Sequence, residues 1–163
     1  MVNLEDNFLD DKDFQVIKKT LLFNTSFDWY FNNGIARNDQ KGNLHFFQFT
    51  HFLYRDYSRS PFFNICHPIL KKLGVKSLVR IKANLNPFST KLVEGGFHYD
   101  YDYDCKAALF YVNTNNGYTK FKKNNKRINS VENRMVMFKA NELHTGTNTT
   151  DQKCRVVINF AYF

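Results

Sequence analysis

The sequence has few glycines, prolines and cysteines, and it has no long run of apolar residues. Its 163 residues include 7 glycines and 3 prolines, and no stretch rich in glycine, proline or serine divides them, which favours one domain. Cys66, Cys105 and Cys154 are odd in number and scattered, so we expect free buried thiols and no disulfide framework. No run approaches the roughly 18 consecutive apolar residues that a membrane-spanning helix needs.

The amino terminus also lacks a targeting pattern. It begins Met-Val-Asn-Leu-Glu-Asp, without the basic and then apolar segments of a secretory signal. We therefore expect a soluble, cytoplasmic protein with no membrane partner. Aromatic residues are abundant instead, and the 18 Phe, 9 Tyr and 1 Trp predict an aromatic core.

Hydrophobic periodicity predicts helices in the first half of the chain and strands in the second. Residues 11–23 carry apolar side chains at helical spacing, and Pro61 is expected to open a second helix that ends at Gly74. Pro68 is expected to kink that helix or to split it. Strands are predicted at residues 46–53, 78–85, 105–113, 135–138 and 156–163. The order predicts an α+β, mainly β domain over residues 1–163, with 1–75 mainly helical support and 76–163 the β core.

Three residues of the second half carry the side chains of a metal site. His98 and Asp100 are two positions apart, so an extended strand directs both to one side. His144 follows the strand predicted at 135–138, and antiparallel pairing would bring it opposite the first two residues. Two imidazoles and one carboxylate leave open positions, as in the facial triad of non-haem Fe(II) oxygenases that admits a cosubstrate and O2. A structural zinc site would instead be closed by four ligands and would favour cysteine.

Arg155, eleven residues after His144, adds a cation to this pattern. Alternation along residues 155–163 places Arg155, Val157 and Asn159 on one face of a strand. An arginine that faces an otherwise apolar interior requires a counter-ion, and its guanidinium fits a carboxylate with two parallel hydrogen bonds. An oxygenase that uses 2-oxoglutarate needs such a partner for the far carboxylate of this cosubstrate.

The order of these residues resembles the 2-oxoglutarate- and Fe(II)-dependent oxygenases, specifically the prolyl 4-hydroxylase-like branch. The resemblance covers about the second half of the chain. Its segments are His98-Tyr99-Asp100, the Tyr-Leu-Asn-like Tyr111-Val112-Asn113, the Gly-Gly-Xaa-Thr-Xaa-Phe-like turn at residues 116–121, the Gly-Arg-Ala-Leu-Xaa-Phe-like strand at 133–138, His144 and Arg155. Two positions depart from the family pattern. Asn116 replaces the first glycine of the turn, and many prolyl hydroxylases carry lysine where this chain has Arg155.

The resemblance implies a double-stranded β-helix, or jelly roll, buttressed by the N-terminal helices. It implies Fe(II) held by His98, Asp100 and His144, and 2-oxoglutarate whose distal carboxylate binds Arg155 and Tyr111. We also assign Thr119 and Asn159 to the cofactor-binding group, with O2 as cosubstrate and ascorbate as reductant. Residues 27–31 and 77–85 resemble small oxygenases of this class that tailed bacteriophages encode, which implies a place in the host cytoplasm.

The substrate stays open at the level of sequence. The resemblance implies hydroxylation of a prolyl or other residue of a peptide or protein, with residues 90–96 folding over an extended chain. Oxidation of a nucleic acid or nucleotide is the alternative, because the net charge is +8 and five basic residues lie within 120–127. A non-catalytic jelly-roll binding module is a third hypothesis, and the oligomeric state is left undefined.

The remaining polar candidates have simpler interpretations. Three other histidines, His45, His51 and His67, lack a carboxylate at ligand spacing, so no metal role is predicted for them. Asp102 and Asp104 are interpreted as groups at the rim of the site. Asn84 and Asn86 either reach the cosubstrate or substrate or belong to a turn beside Pro87.

Overall fold

Two antiparallel sheets of unequal size face each other in the computed structural model, which describes residues 2–34, 44–45 and 47–163. The strands of this part of the chain are β1 (Asn3–Glu5), β2 (Tyr30–Asn32), β3 (Gln48–Arg55), β4 (Ser58–Arg59), β5 (Leu78–Pro87), β6 (Lys106–Tyr111), β7 (Tyr118–Phe121), β8 (Arg127–Asn129), β9 (Arg134–Lys139), β10 (His144–Gly146) and β11 (Cys154–Tyr162). The larger sheet has the order β1-β9-β6-β11-β5-β3-β2, with β4 paired to β3, and the smaller sheet has the order β10-β7-β8.

The first helix, α1 (Asp11–Phe23), confirms the predicted range. The carboxylate of Asp10 caps its start by accepting a hydrogen bond from the backbone N–H of Asp13 at 2.9 Å. The buried stripe consists of Phe14, Ile17 and Leu21. The ring of Phe14 meets Phe110 of β6 edge to face, with centroids 6.1 Å apart. This helix therefore packs against the outer face of the larger sheet.

The second helical segment is split, as one of the two sequence-based alternatives for Pro68 predicts. A 3₁₀ turn (Phe63–Cys66) leads directly into α2 (His67–Leu73), so Pro68 lies in the first turn of α2. Proline is tolerated there because the first backbone N–H groups of a helix have no intrahelical acceptor. The helix ends at Gly74, whose φ of +63° forms a left-handed cap.

The first 75 residues contribute strands as well as helices, and one of these strands, β3, corresponds to the strand predicted at residues 46–53. β3 is an inner strand of the larger sheet, hydrogen-bonded to β2 on one side and to β5 on the other. β1 is an edge strand that pairs with β9. Such pairings join segments far apart in sequence, so local periodicity does not predict them. Phe46, the predicted first residue of the β3 segment, lies outside the described residues.

Opposite faces of the larger sheet bury different layers. On β6, Ala108 and Phe110 pack with the helices, whereas Ala107, Leu109 and Tyr111 pack towards the smaller sheet. The layers are thus helices, larger sheet and smaller sheet, which is the predicted jelly roll with helical buttresses. The space between the sheets stays open at one end, where the polar side chains gather.

The sequence analysis also led to expectations about the cysteines and about membrane-spanning helices. Cys66, Cys105 and Cys154 are all free, as predicted, and burial raises the pKa of each thiol. Within the described ranges, no helix is both long and apolar enough to cross a membrane.

Candidate metal centre and anion pocket

His98, Asp100 and His144 converge at the open end between the two sheets. One candidate ligand atom from each lies within 4.8 Å of the other two. The backbones of the two histidines form an antiparallel bridge, in which each N–H donates to the carbonyl of the other residue at 2.9 Å. The antiparallel approach expected from the sequence is therefore made by the ligand-bearing residues themselves, with His144 on β10.

Backbone carbonyls fix the orientation of both imidazoles. Nδ1 of His98 lies 3.1 Å from the carbonyl oxygen of Gly96, and Nδ1 of His144 lies 2.9 Å from that of Glu142. Because a carbonyl oxygen only accepts, each Nδ1 carries the hydrogen and each Nε2 keeps a free lone pair. Burial lowers the pKa of His98, and the neighbouring His144 lowers it further. This favours the neutral form that binds a metal.

Asp100 is held by two groups from the larger sheet. Arg80 Nη2 donates to Oδ1 at 2.8 Å, and Asn159 Nδ2 donates to Oδ2 at 3.0 Å. Burial acts to raise the pKa of this carboxyl, but His144, Arg80 and Asn159 together hold the pKa below its usual value. The carboxylate is therefore ionised at neutral pH. Asn159, which the sequence assigned to the cofactor-binding group, lies on the metal side of the site.

Arg155 is buried on β11, with only 5% of its surface exposed. Its Nε donates to Ser130 Oγ at 2.8 Å and its Nη2 to Thr119 Oγ1 at 3.1 Å, while Tyr111 donates its hydroxyl to the same Thr119 oxygen at 2.8 Å. Among the residues that the structure describes, Arg155 forms no ion pair. A buried cation bonded only to hydroxyl groups has the charge and the free donors that would suit an anion.

Comparison with known proteins gives no match at the level of sequence, since no family model and no curated protein matches the chain. Solved structures do match. A prolyl hydroxylase from Trichoplax adhaerens, in complex with a hypoxia inducible factor oxygen degradation domain peptide fragment, has a TM-score of 0.70 at 15% identity, covering 99% of this chain and 83% of that chain. The chain has the fold of the prolyl hydroxylases.

Two further prolyl hydroxylases support the same assignment of fold. The viral collagen prolyl hydroxylase of Paramecium Bursaria Chlorella virus-1, in its 2OG complex, has a TM-score of 0.62 at 15% identity, covering 98% of this chain and 94% of that chain. A Pseudomonas putida prolyl-4-hydroxylase has a TM-score of 0.61 at 11% identity, covering 99% and 91%. The likeness of fold extends over almost the whole chain, whereas the resemblance in sequence covers about the second half.

Within this prolyl hydroxylase fold, Gly117 makes room for Arg155. A Cβ atom at Gly117 would lie 2.6 Å from Arg155 Cδ and 2.6 Å from the carbonyl oxygen of Asn148. The preceding position is different, because the side chain of Asn116 reaches outwards and donates to Thr150 Oγ1 at 2.6 Å. Only the second glycine of the family turn is therefore required here, which explains why Asn116 is accommodated.

The Gly117→Ala variant tests this close approach. The added methyl group should displace Arg155, cost about 1–3 kcal/mol of stability and weaken 2-oxoglutarate binding by about tenfold, as for one weakened charged hydrogen bond. Thermal shift with 2-oxoglutarate and Mn(II) measures both effects. The matched control is Asn116→Gly, which introduces the glycine of the turn that this segment resembles and should leave the binding of 2-oxoglutarate unchanged. Equal cosubstrate binding by Gly117→Ala and the wild type would contradict the role assigned to Gly117.

A cavity of about 250 Å³ joins the triad to Arg155. Four alternate residues of β5 line it, namely Arg80, Lys82, Asn84 and Asn86. The register with β11 places Asn86 beside Arg155, and Lys82 beside Asn159. The intervening residues Ile81 and Ala83 face the helices instead. β5 thus carries a polar row along the cavity from the anion pocket to the metal centre.

Sequence analysis identified Asn84 and Asn86 in this row but missed Arg80 and Lys82. The available signal was the alternation itself, since polar side chains at even positions from 80 to 86 share one face of a strand. The cations were overlooked because a charged residue on a strand is usually solvated. Gln48 of β3 was missed as well, and it lines the same cavity from the neighbouring strand.

The other histidines lie away from the triad. Nδ1 of His51 lies 2.7 Å from the carbonyl oxygen of Asp28. His67 is exposed at the start of α2, and His45 contacts Ser89. Asp104 is exposed and pairs with Lys139 at 3.1 Å. The cluster of possible metal ligands found in the described residues contains none of these side chains.

Part of the basic run is used inside the fold. Lys120 Nζ lies 3.1 Å and Arg127 Nη2 lies 3.5 Å from carboxylate oxygens of Glu94, which also accepts a hydrogen bond from the Tyr118 hydroxyl at 2.7 Å. These contacts fix the segment 90–96 against the smaller sheet. Two of the five basic residues are therefore already paired with an acid.

Proposed function

We propose that this chain is an Fe(II)- and 2-oxoglutarate-dependent dioxygenase that hydroxylates a C–H bond of a peptide or protein, in the manner of a prolyl hydroxylase. The observation that carries the proposal is one cavity that contains both an open triad, His98, Asp100 and His144, and a buried unpaired cation, Arg155. The neighbours support the choice of ligands, because one is described with a peptide fragment and another with 2OG.

The residues present fit these groups chemically. Two imidazole Nε2 lone pairs and one ionised carboxylate suit Fe(II) and leave coordination positions for other ligands. Arg155 suits the distal carboxylate of 2-oxoglutarate, with the hydroxyl groups of Tyr111 and Thr119 beside it. When bound, iron and 2-oxoglutarate supply the oxidising chemistry that protein side chains lack.

The side chains of the protein orient these groups and exclude water. Arg80 and Asn159 keep Asp100 ionised and fixed in position. Between the metal centre and Arg155, the cavity is lined by the apolar side chains of Leu109 and Val157, which limit the water around the cosubstrate. O2 is the second cosubstrate in this proposal, and ascorbate serves as reductant. Three free thiols fit the reducing cytoplasm in which we place the protein.

A substrate screen tests the proposal directly. Proline-containing peptides should stimulate succinate release from 2-oxoglutarate in the presence of Fe(II) and O2, and mass spectrometry should find one added oxygen atom in the peptide. Stimulation by single-stranded oligonucleotides alone would instead support the nucleic-acid hypothesis. If neither Mn(II) nor 2-oxoglutarate raises the melting temperature, the chain is a non-catalytic jelly-roll binding module, because a ligand of the native state must stabilise it.

A further inference from the structure

The polar row of β5 contains groups that the proposed chemistry leaves without partners. Arg80 uses Nη2 for Asp100 and Asn159, but its Nε is buried without a hydrogen bond, and so is Oδ1 of Asn84. Lys82 lies between these two residues. Its ammonium group forms no hydrogen bond or ion pair within the described part of the chain, and the ring of Phe52 lies 5.8 Å away. Buried polar groups are nearly always paired, so Nε of Arg80 and Oδ1 of Asn84 leave hydrogen-bonding capacity for a polar ligand beside the half-buried Lys82.

The charge of the cavity determines the kind of ligand. Arg80, Lys82 and Arg155 are cations, and Asp100 is the one carboxylate among the described residues that line the cavity. Burial and the nearby Arg80 lower the pKa of Lys82 to about 8, with Asp100 opposing them, so the ammonium is still charged at neutral pH. A divalent metal adds two positive charges, and the dianion 2-oxoglutarate offsets only those two. The loaded site therefore keeps an excess of positive charge.

The register separates Lys82 from the anion pocket. In the pairing of β5 with β11, Asn86 lies opposite Arg155, and Lys82 lies opposite Asn159. Four residues of extended strand span about 13 Å, which is more than a five-carbon dicarboxylate covers. A cosubstrate whose distal end lies at Arg155 thus leaves Lys82 at the other end of the cavity, opposite Asn159, which contacts Asp100 of the triad. A substrate that approaches the triad would meet Lys82 there.

We propose that Lys82 is a specificity-determining residue that binds a carboxylate of the substrate, so that the preferred substrate is an acidic peptide. The inference rests on the proposed function and narrows its substrate class. Asn84, next along the row, offers an amide to the same ligand. Arg80 is already bonded to Asp100, so it acts as a positioning residue for the metal-binding carboxylate. The carboxylate comes either from an aspartate or glutamate side chain or from the carboxyl terminus of the peptide.

A binding experiment on the Mn(II)- and 2-oxoglutarate-loaded protein tests the inference without turnover. The probes are three fluorescent proline-centred peptides: one with aspartate next to the proline and an amidated end, one with asparagine instead, and one whose single carboxylate is C-terminal. The wild type should bind at least one carboxylate peptide about tenfold or more tightly than the asparagine peptide, as for one charged hydrogen bond. The probe that shows the preference identifies the source of the carboxylate.

Substitutions at Lys82 test whether its ammonium group causes the preference for a carboxylate peptide. Lys82→Met should abolish the preference, whereas Lys82→Glu should reverse it, so that this variant binds the asparagine peptide more tightly than the carboxylate peptides. The matched control is Lys76→Met, because Lys76 is an exposed lysine before β5. Removing a half-buried cation that has no ion pair among the described residues should not unfold the protein, and Lys82→Gln provides a second neutral variant.

Three results would overturn the inference. The first is an absent preference in the wild type or an intact preference in Lys82→Met. The second is a KM for 2-oxoglutarate in uncoupled turnover that rises in Lys82→Met by the same factor as peptide binding weakens, which would assign Lys82 to the cosubstrate. The third is tighter binding of an oligonucleotide through Lys82 than of any peptide. Wild-type succinate formation that needs metal but shows no preference for acidic peptides would refute only this inference, whereas its complete absence would refute the proposed function.

Discussion

Under the proposed function, replacing His98 with alanine is expected to reduce succinate formation from 2-oxoglutarate by about 100-fold or more, since the change removes one of the three proposed metal ligands. The fold should survive, because the bridge between His98 and His144 is made by backbone groups that alanine retains. Succinate release without added peptide measures the loss. The line shape of bound Mn(II) in electron paramagnetic resonance reports metal binding independently of activity.

The matched control for this variant is His67→Ala. His67 is exposed at the start of α2 and lies outside the triad, so its removal should change neither metal binding nor turnover. Undiminished succinate formation in His98→Ala would show that the triad is not the metal centre. The same would follow if both variants lost activity equally.

Replacing Arg155 with methionine is expected to raise the KM for 2-oxoglutarate by about 30-fold or more, which corresponds to losing a buried charged contact. The effect on stability should be small, because the protein buries this cation without an ion pair to any residue that the structure describes, and burial lowers the pKa of its guanidinium. Removing the charge offsets the hydrogen bonds lost to Ser130 and Thr119. Succinate formation at varied cosubstrate concentration and thermal melting measure the two effects.

The Arg155→Lys variant separates the contribution of the positive charge from that of the forked guanidinium. Lysine keeps the cation but loses the forked geometry, so its KM for 2-oxoglutarate should lie between those of the wild type and Arg155→Met. Loss of 10 °C or more in the melting temperature of the unliganded Arg155→Met protein would mean that Arg155 mainly stabilises the fold. An unchanged KM in both variants would place the cosubstrate elsewhere.

Part of the candidate site was predictable because its information is local. Residues i and i+2 of a strand share a face, so the shared face of Arg155, Val157 and Asn159 follows from their spacing. His98 and Asp100 converge as expected, although they lie at an isolated bridge and a bend and not on a strand. The helix at 11–23 was equally predictable from its apolar stripe and the capping Asp10. The role of Gly117 was not predictable, because it depends on the approach of Arg155 from a strand 38 residues later.

The missing parts of the prediction depend on contacts between distant segments. β1 has three residues and no periodicity to detect, yet it pairs with β9 more than 100 residues away. Arg80 and Lys82 look like ordinary surface charges until β5 lies between β3 and β11. The triad and Arg155 could therefore be proposed from the sequence, whereas the side chains that surround them in the cavity required the three-dimensional structure.

The backbone bridge between His98 and His144 makes the metal centre preorganised. The two hydrogen bonds hold both ligand-bearing residues in place before any ion arrives, and the carbonyl groups of Gly96 and Glu142 set the imidazole tautomers. Binding the proposed metal ion would then cost little conformational entropy. The fold does not need the ion in order to form the site.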